Sequence, residues 1–223
     1  MTETSDWLLW QLADSAFPTG GFAHSGGLEA AWQQGEVGSR AEASDFMKTS
    51  LSQLGHSAVP LVVAAHRTPA NFAKLDVFCD RLLNNHVAKR ASRLQGQALL
   101  IVAQRSFPKP ALDELRRNAL DQQVPGHLAP VFGVVTRCLE IDDASAVRLF
   151  LFLALRSVIA SAVRLGIFGP MEAQALQFQL TPYAERAASL SINRPLSEIA
   201  QTAPLLDLFQ GAHDRLYSRL FQS

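Results

Sequence analysis

The stretch AFPTGGFAHSGGLEAA, residues 16 to 31, is the first place to look for chemistry, because four glycines and a proline surround one histidine there. Gly21 and Gly26 have the separation of the two glycines of a phosphate loop. Gly27 and Leu28, however, stand where a lysine and a hydroxyl would reach phosphate and magnesium. His24 beside Ser25 sets a base next to a nucleophile, the minimum for a small-molecule hydrolase, but the flanks lack the glycine pattern of a nucleophile elbow. Metal binding needs ligands that converge. The histidines, His24, His56, His66, His86, His127 and His213, include no pair three or four apart, and Cys79 and Cys138 are distant from each other. This spacing predicts no metal site and no tightly bound cofactor in the isolated chain, while a site gathering one histidine from each of two subunits stays open. Asp142 and Asp143 read as helix caps, and Glu185 shares a mixed face with Arg186, so no pair of acids is set up for proton transfer.

Bulk properties narrow the classes further. In 223 residues, 20 basic side chains balance 20 acidic ones, so no positive field suited to nucleic acid or an anionic membrane is expected. Two lone cysteines fit a reducing compartment and the role of small buried hydrophobes. The start, MTETSDW, is acidic where a signal peptide is basic and then apolar, and the expected location is the cytoplasm.

The elements that must position these residues are helices. Trp7, Leu8, Leu12 and Ala16 are spaced like one buried face, ended by Pro18. Ser39 and Glu42 form a capping box ahead of Phe46, Met47, Leu51 and Leu54. Leu75, Phe78, Cys79 and Leu82 repeat the spacing, and Val87, Ala91, Leu94, Ala98 and Val102 carry it to Pro108. Residues 111–120 make a short amphipathic helix, and Pro130 opens another. Asp142 and Asp143 cap the apolar run at 144–165, whose Arg148, Arg156 and Arg164 fall on different sides and argue for a core helix rather than a membrane span. Gly166 and Gly169 flank a turn before Pro170, Thr181 with Pro182 predicts a further helix start, and Leu205, Phe209, Ala212, Leu216 and Leu220 form a last apolar seam. With no alternating strand pattern, repeat or linker, the fold expected is all-α, one domain over 1–223 holding a bundle of about ten helices.

Within that bundle, residues 17–22 break one helix and turn through glycines that tolerate positive φ. Two phenylalanines stand beside the turn, either displayed or tucked into the core. Ser25 is expected to cap a helix beginning at Gly26 or Gly27, with Leu28 inward and Glu29 in the first turn.

The segment LLWQLADSAFPTGGFAHSGGLEAA resembles the N-terminal signature of the urease accessory protein UreF family. Residues 127–135 (HLAPVFGVV), 156–176 (RSVIASAVRLGIFGPMEAQAL) and the tail from Thr202 resemble its later segments in the same order, the tail being similar to the plant-type branch. Two positions depart from the pattern: Gly26 replaces a larger residue, and Pro170 replaces the glutamine common in bacterial members, as the plant-type branch also does. The resemblance implies a non-enzymatic homodimeric scaffold that works with UreD (also called UreH) and the GTPase UreG to load nickel into the urease apoprotein. It also implies that nickel is handled by the complex rather than held by this chain. Partner contacts are expected from Phe17, Pro18, Gly20, Gly21, Phe22, His24, Ser25 and Glu29, and from Leu216, Tyr217 and Phe221 in a partner-binding tail over 204–223. Arg164, Gly169 and Pro170 complete the expected partner-binding set, and Arg164 is the residue expected to influence the GTPase. A hydrolase using His24 and Ser25, or a nickel-storage protein, are the alternatives.

Overall fold

The computed structural model describes residues 3–223, so Met1 and Thr2 of the acidic start lie outside it. Eleven α-helices and four short 3-10 turns follow one another, with no strand among the described residues. They are α1 (Glu3–Ala13), α2 (Leu28–Gln33), α3 (Arg40–Ser57), α4 (Val59–Arg67), α5 (Phe72–Leu82), α6 (His86–Ser106), α7 (Pro110–Asp121), α8 (Leu128–Cys138), α9 (Asp143–Arg164), α10 (Pro170–Ser191) and α11 (Pro204–Ala212).

The centre of the bundle is α8, buried at every position from Ala129 to Thr136. It lies against α4 closely enough that a Cβ at Gly133 would run into the Val62 carbonyl, so glycine there allows backbone to approach backbone. Around this pair, α9 packs on α3, α4 and α10, while α6 covers the other side of α8. Local signals act as expected at several ends: the Ser39 hydroxyl accepts from Glu42 N–H, Asp142 accepts from Ser145 N–H, and Gly169 precedes Pro170 at the first position of α10.

α9 is long and apolar enough to span a membrane by length and composition, but half of its most apolar window is buried within the bundle. Its arginines are satisfied separately. Arg148 pairs with Glu185 at 2.6 Å, Arg156 donates to the Ala13 carbonyl, and Arg164 donates to the Phe22 and Leu220 carbonyls at 2.8 and 3.1 Å.

Four expectations are corrected. α1 stops at Ala13 rather than Ala16, because the Asp14 carboxylate turns back to accept from Ala16 N–H at 2.8 Å, and both Trp7 and Ala16 face outward. Phe78 and Leu94 are also exposed: α5 buries Leu75 and Cys79, and α6 buries a neighbouring face through Ala91, Leu99, Leu100 and Ala103. No helix starts at Thr181, since α10 runs through Pro182 without interruption. Ala173, Leu176 and Leu180 before the proline and Ala187 and Ala188 after it lie in the core, and this burial outweighs the roughly 3 kcal/mol that an interior proline costs. Finally, the seam from Leu205 to Leu220 is not one helix, because α11 ends at Ala212 where His213 is drawn into the interior.

Candidate partner-docking corner

Between α1 and α2 the chain makes a tight corner in which Gly20, Gly26 and Gly27 adopt φ of +75°, +65° and +94°. A side chain at Gly27 would be strained by that dihedral and would also press on the backbone of Gln210 in α11. Gly27, not Ser25, is the N-cap of α2. Ser25 is occupied elsewhere: its N–H and Oγ both donate to the Ser223 carbonyl, at 2.6 and 3.2 Å. His24 Nδ1 lies 2.6 Å from Ser223 Oγ, and Gln222 N–H donates to the Ala23 carbonyl at 2.8 Å. The corner therefore receives the last residues of the chain, and His24 and Ser25 engage different atoms of one serine instead of each other. The His24–Ser25 pair on which the hydrolase alternative rests is therefore not brought into contact.

Glu29, fully buried in the first turn of α2, holds the tail at a second point. Its carboxylate accepts from His213 Nε2 at 3.0 Å, from Leu220 N–H at 2.6 Å and from Phe221 N–H at 3.3 Å. Charge-assisted bonds of this kind are about twice as strong as neutral ones. His213 is equally buried, and its Nδ1 has no partner among the described residues. A third attachment lies on α6, where Arg90 grips Asp214 through two nitrogens at 2.8 and 3.1 Å and holds its carboxyl down at about 2. Asn85 Nδ2 donates to the Asp207 carbonyl at 2.6 Å.

α9 supplies the floor. Ser157 donates to the Gly21 carbonyl at 2.9 Å and Ser161 reaches the His24 carbonyl at 3.4 Å. Arg164 spans the corner and the tail, bonded to Phe22 and Leu220 as above, with its guanidinium 4.2 Å from the centre of the Phe221 ring. Cation–π contact and two carbonyls make it a clip across the seam. Sequence reasoning missed Ser157 and Ser161. Hydroxyls four apart on the same side of an apolar helix as Arg164 were the available signal.

The expected partner residues are thus divided between surface and interior. Phe22 is 72% exposed, Tyr217 projects fully into solvent, and Pro18, Arg164 and Pro170 are exposed as well. Phe17 is half-buried and stacks on Phe107 with centroids 6.1 Å apart, while Leu216, Gly20, Gly21 and Gly169 are partly covered. His24, Ser25, Glu29 and Phe221 are buried and form the seat itself. Burial, then the electrostatic influence of Arg90 and of the neighbouring His213 ring, push the His24 pKa below its usual value.

A second polar cluster joins α5, α6 and α8. The Asp76 carboxylate, fully buried, accepts from Gly126 and His127 N–H at 2.7 and 2.6 Å, and burial raises its pKa. The His127 ring bridges Ser92 Oγ at 3.1 Å and Asp80 at 2.9 Å. Burial pulls His127 down. Burial alone would raise Asp80, but hydrogen bonds from His127 and Arg93 hold it well below the usual carboxylate range. The two shifts agree on a neutral imidazole donating from Nε2 to an ionised Asp80. Although this is a serine, a histidine and an acid in a row, Ser92 Oγ also accepts from Leu128 N–H at 3.2 Å and the ring is wholly enclosed, so the array closes the start of α8. Among the described residues no three His, Cys, Asp or Glu side chains converge as metal ligands, and Cys79 and Cys138 are free thiols.

Comparison with known proteins places this architecture. The UreF family model matches residues 37–181. Urease accessory protein F of Oryza sativa subsp. indica is 40% identical over 225 residues, covering 99% of this chain and 86% of the relative. The Arabidopsis thaliana protein of the same name is 40% identical, covering 97% and 92%, and urease accessory protein UreF of Trichodesmium erythraeum is 32% identical, covering 96% and 94%. The corner and the tail fall outside the family-model span but inside these full-length similarities.

Proposed function

The chain belongs to the UreF family of urease accessory proteins, and from that premise we propose that it is a non-catalytic cytoplasmic scaffold, acting as a homodimer. It joins UreD (UreH) and the GTPase UreG to deliver nickel, the cargo, to the urease apoprotein. The observation that best supports this reading is the composite built by the corner, the tail and Arg164. Its buried members fix a surface from which Phe22 and Tyr217 project largely or wholly into solvent. Rigid aromatic anchors on a well-ordered base are what a protein interface uses for most of its binding energy. UreD is assigned to this face, and the GTPase to the side of Arg164, Gly169 and Pro170. Ser25, Glu29 and the Nδ1 of His24 are committed to bonds within the chain, which fits a recognition role better than turnover.

A urease gene cluster expressed with and without this gene provides the test, read as nickel content of purified urease. Metal-poor urease in its absence is the expected result, and equal nickel in both would overturn the proposal. Deleting residues 204–223 is expected to abolish capture by UreD, and undiminished capture would remove the tail from that interface.

A further inference from the structure

α10 has apolar side chains on two opposite faces. Ala173, Leu176 and Leu180 enter the core, while Met171, Ala175, Phe178 and Pro182, spaced four, three and four, face solvent. Met171 is 87% exposed and Phe178 is 81% exposed. An apolar stripe of this spacing is the footprint of a second helix. Beside it, between α9 and α10, runs a groove of about 360 Å³ floored by Ile159, Ala160, Val163 and Ala173, with Arg156 and Arg164 also in its lining. These two arginines are eight residues apart, about 12 Å along the helix axis. Unlike Arg148, which has Glu185, neither makes an ion pair among the described residues: Arg156 has the Ala13 carbonyl, with Asp14 acting only at longer range, and Arg164 has the carbonyls of Phe22 and Leu220.

From this juxtaposition we propose that the outer face of α10 and the adjoining groove dock an amphipathic helix of a partner protein. Its apolar side lies on Met171 and Phe178, and acidic residues about two turns apart meet Arg156 and Arg164. Carboxylates bind guanidinium more strongly than peptide carbonyls do. A second copy of this chain offering its own α10 has no free acids to bring, because Glu172 is paired with Arg40 at 2.7 Å and Glu185 with Arg148. The same acids beside the stripe disfavour an anionic membrane. Since Arg164 also clips the tail, an acid taking its guanidinium would draw it away from Leu220 and couple groove occupancy to the seat.

The test uses the full chain and a fluorescein-labelled 18-residue helical peptide with a leucine face flanked by glutamates seven residues apart, followed by anisotropy. A twin peptide carrying lysine in place of glutamate is the control. Binding of the glutamate peptide at least about tenfold tighter than its twin, weakened by salt and reduced about tenfold by Phe178→Glu or Met171→Glu, is expected. Equal affinity for the two peptides, or indifference to both exposed-site variants, would overturn the proposal. So would a fall in solution mass on Phe178→Glu, which would assign the stripe to a second copy, or flotation with phosphatidylserine vesicles that Phe178→Glu abolishes, which would assign it to lipid. Because the isolated chain is measured, the result is decided separately from any effect on urease.

Discussion

Glu29 with His213 and Asp80 with His127 are both acid–histidine contacts of about the same length, 3.0 and 2.9 Å, yet they hold very different things. The Asp80 and His127 cluster ties α5 and α6 to the start of α8, the most enclosed helix of the bundle, and Arg93 and Lys89 steady the acid from outside. Glu29 and His213 tie down a tail that is otherwise held by the Arg90–Asp214 ion pair, by hydrogen bonds from Asn85, Ser25 and Arg164, by the His24–Ser223 contact and by the Phe221 ring. The first contact cannot open without disturbing the core, whereas the second can open and leave the core in place. Similar chemistry thus serves permanence at one site and release at the other, because what differs is the element each holds: the start of the core helix α8 in one case and a C-terminal segment lying outside the hydrophobic core in the other.

The strongest way to break this comparison is Asp76→Ala, which leaves the Gly126 and His127 N–H groups buried without an acceptor. A loss of about 2–4 kcal/mol is expected, read as a lower urea midpoint with unchanged slope. A shift confined to residues 213–223 would contradict it. Next, Glu29→Gln should speed amide exchange at Leu220 and Phe221 by about tenfold or more while moving the global midpoint by no more than about 1 kcal/mol. Global unfolding at the same denaturant as Asp76→Ala would mean that the two sites are one cooperative unit.

A smaller effect separates the sites by pH. His24 is depressed by burial, so the unfolded chain takes up its proton first, and the seat is at full strength above the ordinary histidine pKa, about 6.5. Below that value it weakens as pH falls through the folded pKa. Tail protection should therefore decline between pH 7 and 5.5, and His24→Gln should flatten the decline. An unchanged profile in that variant would exclude His24 as its cause. The least effect on the fold is expected from Tyr217→Ala, which should leave the unfolding midpoint unmoved yet weaken UreD capture by about tenfold.

Much of the fold was legible because its signals are local. Ser39 with Glu42, Asp142 with Ser145, and Gly169 with Glu172 each mark a helix start through a bond made within three residues. Pro182 misled for the same reason: its local preference for a first turn was overridden by core contacts on both sides, which adjacent residues do not encode. The corner was legible as a break and as glycine-rich. That its completion comes from residues 213–223 was not, since no periodicity links Glu29 to His213, and apolar spacing from Leu205 to Leu220 pointed to a continuous helix. Arg164 stood out by its place before the turn, but its role as a clip depends on the two carbonyls it meets.

The separation of Glu29 from His213, 184 positions, has a consequence for how the molecule is made. At translation speeds of about 5–20 residues per second, the carboxylate leaves the ribosome roughly 10–40 s before the imidazole that will satisfy it. Once α9 has followed and supplied its floor, the glycine corner stands open over an unanswered Glu29 carboxyl until residues 213–221 emerge, so the newborn chain passes through a stage in which any segment able to offer backbone amides competes with its own later residues for that place.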